Sequence, residues 1–366
     1  MTGMLSPMRC LSILLLLTGC EDLLGKEPNF SGYSEEVCTS AGIATVNVDI
    51  SSTETAFLIS ADGDHLVAVE SIRSPSGTVL HWEDWYTSTN YLTSAIWPLS
   101  SEMVLNWPIR AEEADLKQGT WDIDLAAVDS SGHYKNGSCI SVTVQTKEDD
   151  NFGNGTVNVH LVYAEGVDAL EDVTIAVDAA IERWTDIWAP MGLTPVVRQS
   201  SGSIDPDLPY AGNGSEDIYD VTLDSYEDEI TLIMGETIEG SNDYYGVAGS
   251  IPGTLTATTR SAVVMGWVAN AGLDGNFSEL DISIMGETMA HEIGHYMGLF
   301  HPVEQTFDAW DACEDTPECT SSSRCDEVLG SNLMYPYPVC DMTGCVEQGD
   351  LSDIQGEILH RYTGAL

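Results

Sequence analysis

The chain has 366 residues, with 12 Lys plus Arg against 59 Asp plus Glu and a formal charge of -47. An acidic excess of this size excludes a phosphate-binding surface, so nucleic acid is not expected as a partner. Most of it reads as solvated, self-repelling surface; Glu148-Asp149-Asp150 and Asp224 to Asp228 are candidate holders of a structural calcium ion (Ca2+), although no D-x-D-x-D-G loop accompanies them.

At the N-terminus, Arg9 precedes an apolar run from Leu11 to Leu17 that is too short to span a bilayer, the pattern of a signal peptide. Leu17-Thr18-Gly19-Cys20 resembles a bacterial lipobox. That resemblance implies a signal peptide over residues 1–19 and lipid attachment at Cys20, with acyl chains holding a soluble body to the cell envelope. Glu21 in place of Asp points to the outer membrane. The alternative is a plain secretory signal cut nearby. In an exported chain the cysteines read as disulfides: Cys38 with Cys139 would staple the first half, while Cys313, Cys319, Cys325, Cys340 and Cys345 form an odd set whose connectivity stays open.

Residues 20–35 are expected to be a tether. From 36 to 146 period-two runs recur (Val46, Val48, Ile50; Trp121, Ile123, Leu125; Ile140, Val142, Val144) between turn signals such as Ser74-Pro75-Ser76-Gly77. With no helix among them, the segment reads as an antiparallel β-sandwich of about 110 residues. Its Trp82, Trp85, Trp97, Trp107 and Trp121 suit a core rather than a ligand groove, and the segment shows no chemistry of its own. It reads as a spacer, an adhesion module or an inhibitory prosegment.

Residues 147–155 are expected to be a linker, and 156–366 a second unit. Val157, Val159, Leu161 and Tyr163 alternate as a strand; Leu170, Val173, Val177, Ile181, Trp184 and Trp188 recur at helical spacing up to Pro190 and Gly192. Further strands are expected at 195–197, 230–234 and 262–268. Tyr245 to Gly253 reads as a glycine-rich edge along which an extended peptide could add as a strand. A helix is expected to start between Ser283 and Glu287, burying Met285, Met289 and Ile293. The chain then becomes rich in Cys, Pro and Gly, and a closing helix is expected over 350–361.

On the first of these late helices stands His291-Glu292-Ile293-Gly294-His295-Tyr296-Met297-Gly298-Leu299-Phe300-His301, which reads H-E-x-x-H-x-x-G-x-x-H. Positions i and i+4 share a helix face, so His291 and His295 present two imidazoles toward one point. Gly298 can turn the chain and bring His301 round as a third ligand. Three ligands leave a tetrahedral zinc (Zn2+) one open position, the mark of a catalytic rather than a structural site, and Glu292 is placed as general base. At this composition the five fixed residues would arise by chance about 10⁻⁵ times per chain.

This pattern resembles the metzincin clan of zinc endopeptidases, whose signature is followed by a methionine-containing turn. Asn332-Leu333-Met334-Tyr335-Pro336 looks like that turn in the matrixins, while Asp315-Thr316-Pro317 is more like the pappalysins. The resemblance implies an α+β metzincin-like catalytic domain, a twisted sheet plus a zinc-binding helix, preceded here by the all-β sandwich. It implies a zinc metalloendopeptidase acting on extracytoplasmic proteins or peptides, with Met334 as an apolar floor rather than a ligand. Tyr335 and Tyr337 are candidate substrate or oxyanion contacts, with packing beside the turn as the other reading, and Glu304 a neighbour of the site. An unpaired Cys, or an Asp from the first half, is a candidate latency ligand. The reading from a different class is a surface-anchored binding lipoprotein that works through the sandwich.

Overall fold

The computed structural model describes residues 30–366 apart from 114–115, 150, 272–274 and 342–343. The signal and lipobox residues, Cys20 included, lie outside the described residues, as does Asp150.

The first half folds as β1 (Phe30–Cys38), β2 (Ile43–Ile50), β3 (Ala56–Gly63), β4 (Leu66–Ser74), β5 (Gly77–His81), a short α1 (Trp82–Tyr86), β6 (Asn90–Tyr91), β7 (Glu102–Trp107), β8 (Gly119–Val128) and β9 (Cys139–Lys147). Two four-stranded antiparallel sheets result, ordered β1-β9-β3-β7 and β2-β8-β4-β5. Strand β2 buries alternate residues, whereas β3 and β7 are buried nearly throughout, and Phe57 meets Trp121 edge to face, ring centroids 6.2 Å apart, between the sheets. Two boundaries differ from the sequence reading. Residues 30–35, expected in the tether, belong to β1, which is exposed almost throughout and is held by backbone pairing to β9 and by the Cys38–Cys139 disulfide. The expected linker begins on a buried residue, Lys147, the last of β9. Trp107 and Trp121 are fully buried, whereas Trp82, Trp85 and Trp97 are partly buried against the core.

The second half opens with β10 (Gly155–Tyr163), α2 (Glu171–Trp188) and β11 (Leu193–Ser201). A two-residue strand β12 (Asp207–Leu208), α3 (Glu216–Thr222), β13 (Glu229–Gly235), β14 (Thr237–Ile238), β15 (Gly246–Ala248), β16 (Ala262–Gly266) and α4 (Trp267–Asn270) follow. The main sheet runs β11-β10-β13-β16-β15, parallel except for its edge strand β15, which is antiparallel to β16. Every residue of β13 and β16 is buried, as expected for inner strands of a parallel sheet. Helix α5 (Glu279–Tyr296) packs on α2 and on β15 and β16. It begins earlier than its apolar pattern suggests, because Ser278 and Asp281 close a reciprocal cap in front of it. Beyond it come β17 (Trp310–Asp311), α6 (Ser322–Leu329), β18 (Cys340–Asp341), β19 (Gly344–Cys345) and α7 (Asp353–Arg361).

The halves are not separate bodies. One hydrophobic cluster runs from Ala44 to Ala365 and takes in residues of both. β6 pairs with β17, Asn106 donates to the Arg361 carbonyl and accepts from Thr363, and Lys147 Nζ donates to the His360 carbonyl at 2.7 Å.

Candidate metal centre and cleft

Helix α5 assigns each of its faces a task. Met285, Met289 and Ile293 are fully buried toward the sheet. The adjacent small residues set distances of approach: a Cβ on Gly286 would lie 2.6 Å from the Ala180 carbonyl oxygen of α2, and one on Gly294 would lie 3.0 Å from Met334 Sδ. Glu287, one turn before His291, pairs with Arg183 of α2 at 2.8 Å and so fixes the rotation of the helix on its support. That leaves His291 and His295 on the face that lines an open cleft of about 390 Å³.

After Tyr296 the chain reverses at Gly298, whose φ of 113° belongs to the left-handed region that favours glycine. The reversal does two things. It carries His301 back to the other histidines, and it places the Leu299 carbonyl 2.6 Å from His295 Nδ1. His291 Nδ1 is held in the same way by the Leu333 carbonyl at 2.7 Å, and His301 Nδ1 by Glu304 Oε2 at 3.1 Å. Each Nδ1 faces an oxygen acceptor, so each imidazole carries its proton there and turns an Nε2 lone pair inward. The ligand atoms of the three histidines lie within 4.8 Å of one another, and His295 Nε2 is 3.1 Å from His301 Nε2.

Two lone pairs at that distance repel unless a cation lies between them. A tetrahedral zinc with Zn–N near 2.0–2.1 Å separates its nitrogens by about 3.3 Å, so the donor set fits this ion. Burial, then the neighbouring His301, pushes His291 down to about 3; burial, then His291 and His301, takes His295 well below its ordinary value. Both are thus neutral donors. Among the described residues the other trio of converging potential ligands is Glu36 with the disulfide-bonded Cys38 and Cys139; the acidic runs near 148 and 224 form none.

Glu292 faces the edge strand. Its Oε2 accepts from the Ala248 amide at 2.9 Å, and Gly246 lets β15 come close, since a Cβ there would lie 2.8 Å from Glu292 Cγ. Burial pushes the carboxyl up to about 7, against the opposing pull of His301 and the Ala248 amide. A divalent cation at the imidazoles would draw it back down.

Met334 is fully buried with its sulfur against Gly294, and its amide is fixed by Asn332 Oδ1 at 2.9 Å. Tyr335 lines the cleft but is nearly buried, its hydroxyl donating to Asp326 at 2.7 Å and standing 3.3 Å from the Tyr337 hydroxyl. Tyr337 also lines the cleft. Tyr210, Tyr244 and Gln305 are among the lining residues that carried no sequence signal. Burial, then Tyr244 and Glu292, raises the Tyr210 phenol, which therefore remains a donor.

Two disulfides staple the last segment, Cys319–Cys325 and Cys340–Cys345, and Cys313 is the odd cysteine. Cys313 is buried beside Asp311 and is not among the cleft residues, so it does not serve as the latency ligand suggested for an unpaired thiol. No Asp of the first half lines the cleft among the described residues.

No protein-family model matches the sequence, and a comparison with curated proteins gives no match. Among solved structures this chain is similar to archaemetzincin from Methanopyrus kandleri, with 14% identity over 59% of this chain and 90% of that one and a TM-score of 0.30. It is also similar to metalloproteinase-II from Bacteroides fragilis, with 12% identity, 51% and 61% covered and a TM-score of 0.28. A zinc-dependent peptidase from Methanocorpusculum labreanum shows 15% identity, 48% and 87% covered and a TM-score of 0.27.

Proposed function

We propose that this chain is a zinc-dependent endopeptidase that hydrolyses peptide bonds of extracytoplasmic proteins or peptides, with a metzincin-like catalytic half behind a β-sandwich. The observation that carries the reading is the convergence of three Nε2 atoms in an open cleft beside a carboxylate aligned by an edge strand. His291, His295 and His301 would hold the ion. When bound, it supplies Lewis acidity toward a water and a scissile carbonyl.

The remaining work belongs to the chain. Glu292, steadied by the Ala248 amide, takes the proton of the attacking water and returns it to the leaving amine. Strand β15 is the sheet edge, along which an extended peptide is held by main-chain hydrogen bonds. Met334 keeps an apolar floor under Gly294 and is no ligand, since a thioether suits this ion poorly. Attachment to a bacterial cell envelope through Cys20 belongs to the same proposal. Support comes from the Leu17-Thr18-Gly19-Cys20 motif and from three disulfides, which suit an oxidising compartment.

Protein purified from Glu21 onward should carry about one zinc per chain. Glu292→Gln should lower peptide cleavage by about 10²- to 10⁴-fold while that zinc is retained. Cleavage that survives the change at full rate, with the metal in place, would remove Glu292 and this mechanism with it.

A further inference from the structure

The chain has 59 acidic and 12 basic residues, and most of the described cations are paired with a carboxylate. Arg73, Arg110, Lys135, Arg183, Arg198 and Arg324 each have one within 4 Å. Lys147 and Arg361 lie over the Phe152 ring, and Lys117 reaches Ser76 at the surface. Arg260 fits none of these cases. Among the described residues no carboxylate pairs with it within 4 Å, and its Nε is buried without a hydrogen-bond partner. Glu102, the acid whose field reaches it, is committed to the Thr259 amide and hydroxyl at 3.2 and 2.5 Å.

Arg260 lines a cavity of about 270 Å³ built by both halves of the molecule. Trp97, Leu99, Met103 and Glu102, whose carboxylate is taken up by Thr259, come from the first half; Phe300, which directly precedes His301, comes from the second. Tyr210, Ala248 and Ile251 line this cavity and the metal cleft alike, so the two are immediate neighbours. Ala248 is the residue that steadies Glu292, and Ile251 stands three residues further along the chain, a span of at most about 11 Å.

We propose that this cavity is a substrate subsite that binds a carboxylate two or three residues from the bond cut, with Arg260 as its anchor and the Trp97–Phe300 wall packing the aliphatic part of the bound residue. The proposal rests on the peptidase reading of the metal centre. A guanidinium held between low-dielectric walls forms its strongest hydrogen bonds with a carboxylate, and the rest of the acidic surface repels the same group. The carboxylate comes either from an Asp or Glu side chain or from the free end of a short peptide.

The test uses the zinc-loaded protein and peptide pairs that differ only as Glu against Gln at each position flanking the cleaved bond, each with a free or an amidated C-terminus. The expected result is at least a tenfold higher kcat/KM for the carboxylate member at one position, with the ratio falling to about one in Arg260→Gln, whose zinc content reports that the site is intact. A preference confined to free-ended peptides assigns the subsite to the chain terminus; one confined to Glu assigns it to a side chain. Equal cleavage of all members by the wild-type protein overturns the subsite, as does a preference that persists in Arg260→Gln. Absence of cleavage of every peptide by the zinc-loaded protein instead overturns the peptidase reading on which the subsite depends.

Discussion

His291, His295 and His301 give their Nδ1 protons to three different parts of the chain: the carbonyl before Met334, the carbonyl after Gly298, and the Glu304 carboxylate. The last is the one a side-chain change can remove. Glu304→Ala should weaken zinc binding by about 10- to 100-fold, because His301 loses the partner that fixes its tautomer and ring orientation. Competition with a chromophoric chelator measures this, and an unchanged affinity would mean that Gly298 and the chain reversal suffice to orient the ring. The convergence of the three histidines beside Glu292 is legible in the sequence because its geometry is local: one helix turn, then one glycine. The carbonyls of Leu299 and Leu333 are not, since a backbone atom leaves no mark on residue identity. Of the two readings the sequence leaves open for Tyr335, substrate contact or packing beside the turn, the bond of its hydroxyl to Asp326 favours packing.

Helix α5 is where ligand geometry and packing meet. Gly286 has almost no space above it, and the nearest atoms are backbone oxygen of Ala180 at 2.6 Å and Arg183 Cβ at 2.7 Å, neither a flexible side-chain end. Gly286→Ala should therefore push α5 off α2 and destabilise the fold by about 1–3 kcal/mol. Because the same helix carries two ligands, urea midpoint and zinc affinity should fall together; loss of stability with unchanged affinity would show that the centre rides on the sheet rather than on α2. The apolar spacing of α2 and α5 was readable because 3.6-residue periodicity survives whatever the helix packs on. The true start of α5 was not, since it is set by the Ser278–Asp281 cap ahead of the apolar run. Strand β1 was missed for a related reason. Its residues are exposed almost throughout, and only pairing with β9 and the Cys38–Cys139 bond define it.

At the scale of the whole molecule, the first half packs behind the segment that carries His301, although it lends no described residue to the lining of the cleft. Tyr91 and Trp97 pack edge to face on Phe300 with centroids 5.7 and 6.3 Å away, and Arg110 donates to the Ala312 carbonyl. A chain starting at Gly155 should lack a cooperative thermal transition and bind no zinc; a folded, zinc-loaded fragment would show the halves to be separable. Long-range contacts of this kind leave no trace in local periodicity, which is why the first half reads in sequence as an independent module. Lys147 is the sharpest of them, a buried ammonium at the end of β9 donating to α7. Burial lowers it from 10.5 to about 8, with Asp149 opposing and Arg361 reinforcing. Between pH 8 and 10.5 the unfolded chain keeps this proton and the folded chain does not. Its contribution to stability therefore rises across that window and is lost again as pH falls through 8. A shift of this size corresponds to about 3 kcal/mol. Lys147→Met removes the titration but leaves the His360 carbonyl short of a donor at every pH, a constant offset. The stability difference, variant minus wild type, should therefore be more favourable to the variant at pH 7 than at pH 11 by about 3 kcal/mol. Tyr33, Tyr134 and Tyr163, each raised to about 12, titrate alike in both proteins and cancel. Parallel urea titrations across the range measure the difference, and a pH-independent gap would mean that Lys147 keeps its charge solvated in the folded protein.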